Sequence, residues 1–86
     1  MPNQNQELKK AGLKATLPRI KIMEVLASTA IKEEAHFSAE DIYKELISND
    51  DDIGLATIYR VLTQFEAAGM VTKHHFENSK AVYEIN

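Results

Sequence analysis

The side chains best suited to recognising another molecule lie in one run, from Ile53 to Val71. Within it Ile58, Val61, Leu62 and Phe65 recur at helical spacing and require a core. Thr57, Tyr59, Arg60, Thr63 and Gln64 fall largely on the opposite side. A hydroxyl, a phenol, a guanidinium and a primary amide are groups that contact phosphate oxygens and base edges. On a helix lying in a major groove, Arg60 donates to guanine or to phosphate. The Tyr59 ring packs on thymine methyl groups, or its hydroxyl meets a phosphate. The same residues also suit a plainer arrangement, with Arg60 in a surface ion pair and Tyr59 as a half-buried packing residue. Context decides for the first. Gly69 closes the helix, a β-prone pattern follows, and helix, helix, hairpin is the order of a winged helix-turn-helix with this run on its second helix.

Other candidates are more scattered. Lys14 falls between the first two expected helices. There it either reaches a narrow A·T-rich minor groove, where the negative potential is enhanced, or touches phosphate, or is an ordinary solvated lysine. Thr16, Arg19 and Tyr43 are further candidate backbone contacts. The histidines are His36, His74 and His75. Neighbouring strand residues point to opposite faces, so His74 and His75 do not chelate one metal together, and no spacing in the chain assembles a complete metal site. By default each histidine belongs at the surface or at a boundary. Catalysis lacks its parts: there is no cysteine nucleophile, phosphate-binding glycine loop or G-x-S-x-G turn, and the carboxylates run together as solvated clusters.

The elements that position these groups must come from a chain of 86 residues, enough for one domain with a modest core. No apolar run is long enough for a membrane span or a secretory signal. The absence of cysteine removes disulfides and thiolate zinc sites and is compatible with the cytoplasm. The net charge of −3 argues against nucleic-acid binding, but the charges are segregated. Residues 1–23 carry Lys9, Lys10, Lys14, Arg19 and Lys21 against Glu7. Residues 33–52 carry Glu33, Glu34, Glu40, Asp41, Glu45, Asp50, Asp51 and Asp52 against Lys44. Such a chain either turns a basic face to phosphate and an acidic face away from it, or simply has a solvated surface with accidental clustering.

The pattern predicts four helices and a two-stranded wing, an α+β fold that is mainly α. The first six residues are expected to be loosely held, and a short helix over Glu7 to Ala11 stops at Gly12. Thr16 caps a second helix with Pro18 in its first turn, and Ile20, Ile22, Met23, Val25 and Leu26 give it the broad apolar face of a central support. Residues 28–36 read as a loop. Ser38 caps the third helix, with Asp41 completing a capping box and Phe37 and Ile42 spaced as a hydrophobic staple. Ile42, Leu46 and Ile47 are expected to point inward, with Tyr43 near the boundary. The two parts of the helix-turn-helix fall at roughly 38–48 and 54–68. Met70 to Phe76 and Lys80 to Ile85 form the wing around a turn at Glu77-Asn-Ser79, and Lys73 and Lys80 bring positive charge to it. The chain stops where the second wing strand ends, which suits a domain cut from a longer protein, with a short natural protein as the alternative.

Leu8-Lys-Lys-Ala-Gly-Leu-Lys14, Thr16-Leu-Pro-Arg19, Ser38-Ala-Glu-Asp41 and Gly54-Leu-Ala-Thr-Ile-Tyr-Arg-Val-Leu62 closely resemble the ferric uptake regulator family, and Phe65 to Val71 and the wing continue the match. The family consists of metal-responsive bacterial transcription regulators, mostly dimeric repressors with an N-terminal winged helix and a C-terminal dimerisation domain. The resemblance implies that Ala56, Thr57, Tyr59 and Arg60 face DNA on the recognition helix and that Lys14 has a minor-groove or backbone role. It also implies that His36 and Glu84 contribute half of an interdomain metal site whose other ligands lie in the dimerisation domain. The chain is then a single winged-helix domain over 1–86, monomeric by itself and without a cofactor. Its full-length parent is a homodimer holding Fe2+, or Mn2+ or Zn2+, and binds double-stranded A·T-rich inverted repeats; the iron-responsive branch is the nearest in resemblance. A relative responding to zinc, manganese or peroxide is one alternative, and a winged helix used for protein interaction without DNA binding is another.

Overall fold

The computed structural model describes residues 4–31, 37–75 and 80–86. Helices α1 (Gln4–Lys10), α2 (Leu17–Ile31), α3 (Ala39–Ser48) and α4 (Leu55–Ala67) precede strands β1 (Val71–His74) and β2 (Val82–Ile85). The strands are antiparallel, with Val71 opposite Ile85, Thr72 opposite Glu84, Lys73 opposite Tyr83 and His74 opposite Val82. Phe37 bridges to Tyr83 by reciprocal backbone bonds of 3.2 and 2.7 Å, which ties the entry to α3 into the wing. The winged helix-turn-helix order is therefore present, with the two helices of the motif within a residue of their expected bounds.

α2 is the central support, packing against α1, α3, α4 and β2. Ile22, Met23, Val25 and Leu26 are buried and Ile20 packs against the same cluster. Ile42 and Leu46 of α3, Ile58, Val61, Leu62 and Phe65 of α4, and Val71 and Tyr83 of the wing complete the core. Ser38 caps α3 as a full capping box: its hydroxyl accepts from the Asp41 amide at 3.1 Å, and the Asp41 carboxylate accepts from the Ser38 amide at 3.1 Å.

Three expectations are corrected. α2 continues to Ile31 instead of ending before 28, with the Ser28 hydroxyl satisfied by the Val25 carbonyl at 2.9 Å. α1 begins at Gln4 instead of Glu7, and its Leu8 is fully buried, so the N-terminal helix is docked by a core residue. Ile47 is 46% exposed; Ile42 and Leu46 lie one turn apart on the buried face, and Ile47 is rotated off it. The predicted loop after residue 31 and the wing turn at 77–79 lie outside the described residues.

α1, α3 and α4 close in the same way. Leu13 N–H donates to Leu8 and Gly12 N–H to Lys9; Met70 N–H donates to Phe65 and Gly69 N–H to Glu66; Asp51 N–H donates to Leu46 and Asp50 N–H to Ile47. Each is a Schellman closure, which needs a left-handed residue just past the helix. Gly12 and Gly69 take that place with φ of 79° and 76°, but α3 uses Asp50 at φ 62°. An L-residue there is strained, and its carboxylate lies at the negative end of a helix dipole. Asp50→Gly is therefore expected to stabilise the fold by about 0.5–1 kcal/mol, raising Tm in a thermal melt by several degrees. An unchanged or lower Tm would show that Asp50 sits there without strain.

Candidate nucleic-acid interface

α4 presents two unlike faces because its apolar residues recur every three or four positions. Ile58 and Val61 are buried, and the two residues between them, Tyr59 and Arg60, are exposed. Ala56 and Thr63 are exposed beside them, and Thr57 and Gln64 are half-buried. The Thr63 hydroxyl bonds the Tyr59 carbonyl one turn back at 2.9 Å. Among the described residues Arg60 makes no ion pair, so its guanidinium is not engaged as the plainer arrangement would have it. Tyr59 is 42% exposed, so more than half of its surface is covered while the rest remains open to solvent.

The Tyr59 hydroxyl donates to Glu40 Oε2 at 3.0 Å, across to the first turn of α3. That hydrogen bond, with a little burial and the Glu40 charge behind it, pushes the phenol above its ordinary ionisation range. The bond ties the phenol hydroxyl to α3. Glu40 is the residue that sequence reasoning missed. It belongs to the acidic stretch read as facing away from DNA, yet it stands beside the recognition residues. Lys21, counted with the basic stretch, lies instead within 3.9 Å of Glu24 and 3.8 Å of Asp51. The segregation of charge along the chain is only partly a segregation in space.

Lys14 is exposed in the segment between α1 and α2. Arg19, in the first turn of α2, reaches both sides of it. Its Nη1 donates to the Lys14 carbonyl at 2.9 Å, and its Nε and Nη2 donate to Gln64 Oε1 on α4 at 3.2 and 3.0 Å. The structure thus brings Lys14, Arg19 and α4 together. Thr16 is half-buried next to them, its hydroxyl 3.5 Å from the Arg19 amide, a weak cap. Tyr43 is at the boundary, 37% exposed. Lys73 and Lys80 are exposed on and beside the wing strands.

Of the expected metal half-site, His36 lies outside the described residues. Glu84 is half-buried on β2, and its Oε1 is 3.3 Å from His74 Nε2 on β1. Among the described residues no three histidine, aspartate or glutamate side chains gather to hold a cation, and two ligands are too few for a tight site. Among the described residues no helix is long and apolar enough to cross a membrane.

Comparison with known proteins bears on the family and the fold. The ferric uptake regulator family model matches residues 10–86. The chain is 57% identical over 82 residues to the ferric uptake regulation protein of Pseudomonas fluorescens, covering 95% of this chain and 64% of that protein. It is 57% identical over 86 residues to that of Vibrio parahaemolyticus, covering all of this chain and 56% of the relative. The chain therefore spans less than two thirds of the length of these curated relatives. It superimposes on the Pseudomonas aeruginosa ferric uptake regulator solved with manganese with a TM-score of 0.86 at 57% identity, over 95% of this chain and 59% of that one. For the Vibrio cholerae ferric uptake regulator the TM-score is 0.87 at 56% identity, over 98% and 62%. Matched from residue 10 to its last residue, and folded as those regulators are, this chain belongs to the ferric uptake regulator family, whose members are metal-responsive transcription regulators and not enzymes.

Proposed function

We propose that the chain is the DNA-reading winged-helix domain, over 1–86, of an iron-responsive repressor that binds A·T-rich inverted repeats. The observation that carries this is the exposed face of α4. There Tyr59 and Arg60 are held outward between two buried residues, and Arg60 has no ion-pair partner among the described residues. Arg60 reads a guanine or a phosphate in the major groove, Tyr59 offers its ring to thymine methyl groups, and Ala56 and Thr57 pack along the same edge. Lys14 contacts the minor groove or its phosphates, with Thr16 and Arg19 beside it. A homodimer, a cytoplasmic location and Fe2+ or Mn2+ belong to the proposal for a full-length protein. In its favour, one relative was solved with manganese, and the Francisella tularensis regulator, 36% identical, with iron. His36 and Glu84 would there contribute part of a cation site, the cation supplying a charge that draws carboxylate and imidazole ligands together.

Fluorescence anisotropy with an A·T-rich inverted-repeat duplex and a scrambled duplex tests this. The chain should prefer the repeat, and its log affinity should fall with log salt at about −0.9 per phosphate contacted. Arg60→Ala should weaken binding to the repeat by roughly 1–3 kcal/mol and narrow the preference over the scrambled duplex. No binding to either duplex at low salt would move the protein-interaction reading, which the net charge of −3 suits, to first place.

Two further outcomes follow from the site. Glu40 places a carboxylate beside a phosphate-facing surface, so Glu40→Gln, which keeps an acceptor for Tyr59, should tighten binding by up to about 1 kcal/mol. The gain should shrink as salt rises; weaker binding would mean that the carboxylate's hold on Tyr59 outweighs its repulsion of phosphate. Added manganese should leave the affinity of this chain for the repeat unchanged, since His36 and Glu84 alone are too few ligands for a tight site. A manganese-dependent increase would show a complete site within these residues.

A further inference from the structure

Arg19 carries a positive charge near the proposed DNA face, and the simplest role for it is a phosphate contact. Its hydrogen bonds indicate a different one. A guanidinium only donates, through five N–H groups in a rigid plane. Here three of its bonds run to two places distant in sequence: the Lys14 carbonyl before α2, and the Gln64 side chain near the end of α4. Because arginine cannot accept, the Gln64 amide must turn its oxygen toward α2. Arg19 and Gln64 are both half-buried, which partly shields the two bonds between them from water, while the bond to the Lys14 carbonyl is exposed.

The backbone around Lys14 has little else to hold it. Ala11, Gly12 and Leu13 donate to α1 carbonyls, and the Thr16 carbonyl accepts from Ile20 in α2. Between them, among the described residues, the bond from Arg19 to the Lys14 carbonyl is the hydrogen bond that fixes residues 14 and 15.

We propose that Arg19 is a positioning residue that clamps the Lys14 segment to the recognition helix through Gln64, so that Lys14 and α4 meet a duplex as one rigid unit. This rests on the DNA-binding reading above. A planar fork bonded at both ends transmits position where a single flexible ammonium does not. Lys14 by itself would have to order its segment on binding, at an entropic cost that the clamp meets in the free protein.

The test is a mutant cycle read on the A·T-rich inverted-repeat duplex. Lys14→Ala is made in the parent, in Gln64→Leu and in Arg19→Lys, which keeps the charge but loses the fork. In the parent Lys14→Ala should weaken binding about tenfold, and in either unclamped background about twofold or less. The salt slope separates the clamp from a direct contact. Arg19→Lys should lower it by about 0.9, because the Lys14 contact is lost, whereas a lysine replacing a phosphate-contacting arginine would leave it unchanged. The free protein gives an independent readout: the Arg19 Nε–H resonance should exchange slowly in the parent and rapidly in Gln64→Leu, with Tm showing that each variant is folded. An equal Lys14→Ala penalty in all three backgrounds overturns the clamp and leaves the DNA reading intact. No penalty in the parent overturns the role of Lys14 in DNA binding, and the clamp with it.

Discussion

Burial of one stripe on α4 decides where every proposed reading group points. Ile58, Val61, Leu62 and Phe65 are each 5% exposed or less, and burying a side chain of this kind stabilises by roughly 1.5–3 kcal/mol. A rotation of the helix by one residue would turn this stripe through about 100° and expose it. Tyr59 and Arg60 sit between Ile58 and Val61, so the core fixes their direction from both sides. Precision at the interface is thus a by-product of packing against α2 and α3, and it does not depend on contacts made by Tyr59 and Arg60 themselves. The closure of the helix follows the same logic. The left-handed turn at Gly69 stops α4 and sends the chain into β1, and Asn86, just past β2 at the same end of the wing, donates from Nδ2 to the Gly69 carbonyl at 2.7 Å.

The charge distribution suits discrimination better than raw affinity. A net charge of −3 gives no general attraction to phosphate, and nonspecific affinity for DNA is mostly such attraction. Glu40 sharpens the effect by standing 3.0 Å from a residue on the recognition face. It opposes phosphate at any sequence, while its bond to Tyr59 holds the ring in one orientation for a sequence-dependent contact. Under the proposed function the repulsion lowers affinity for every sequence alike, and any gain in the ratio of specific to nonspecific binding comes from the orientation of Tyr59.

Local chemistry made much of this legible. The capping box at Ser38 and Asp41, the stop at Gly69 and the α4 stripe are each decided within a few residues, and each was read at its place. The misreadings have physical causes. Ser28 and Thr29 are weak helix formers, but α2 is held by its buried face and the Ser28 hydroxyl finds a helix carbonyl, so packing overrides propensity. Leu8 looked like part of a minor helix because a short helix has little periodicity to show, although it is fully buried. Ile47 was expected inside because it is apolar, yet apolar residues supply much of any protein surface. The pairs Arg19–Gln64 and Tyr59–Glu40 are 45 and 19 residues apart. No local pattern encodes such a pair in one sequence; only the packing of α2, α3 and α4 creates it.

Those two pairs also bear on how a domain this small can bind usefully. Association costs translational and rotational freedom together with the ordering of every mobile group at the interface. Few groups here are available to repay it. Tyr59 is already held by Glu40, Arg60 lies on a packed helix, and the Lys14 backbone is tied by Arg19 to that same helix. Ordering done during folding is not repeated on binding, so a short list of contacts retains more of its energy. Under the proposed function the remaining deficit is met by duplication. Two such domains joined in a dimer convert the second half-site encounter into an intramolecular one, at an effective concentration set by the connection between them. The gain survives only if both domains present their contacts at a fixed geometry. Rigidity within each domain is therefore the condition for cooperation between two, and for any device that controls repression by altering the distance between their recognition helices.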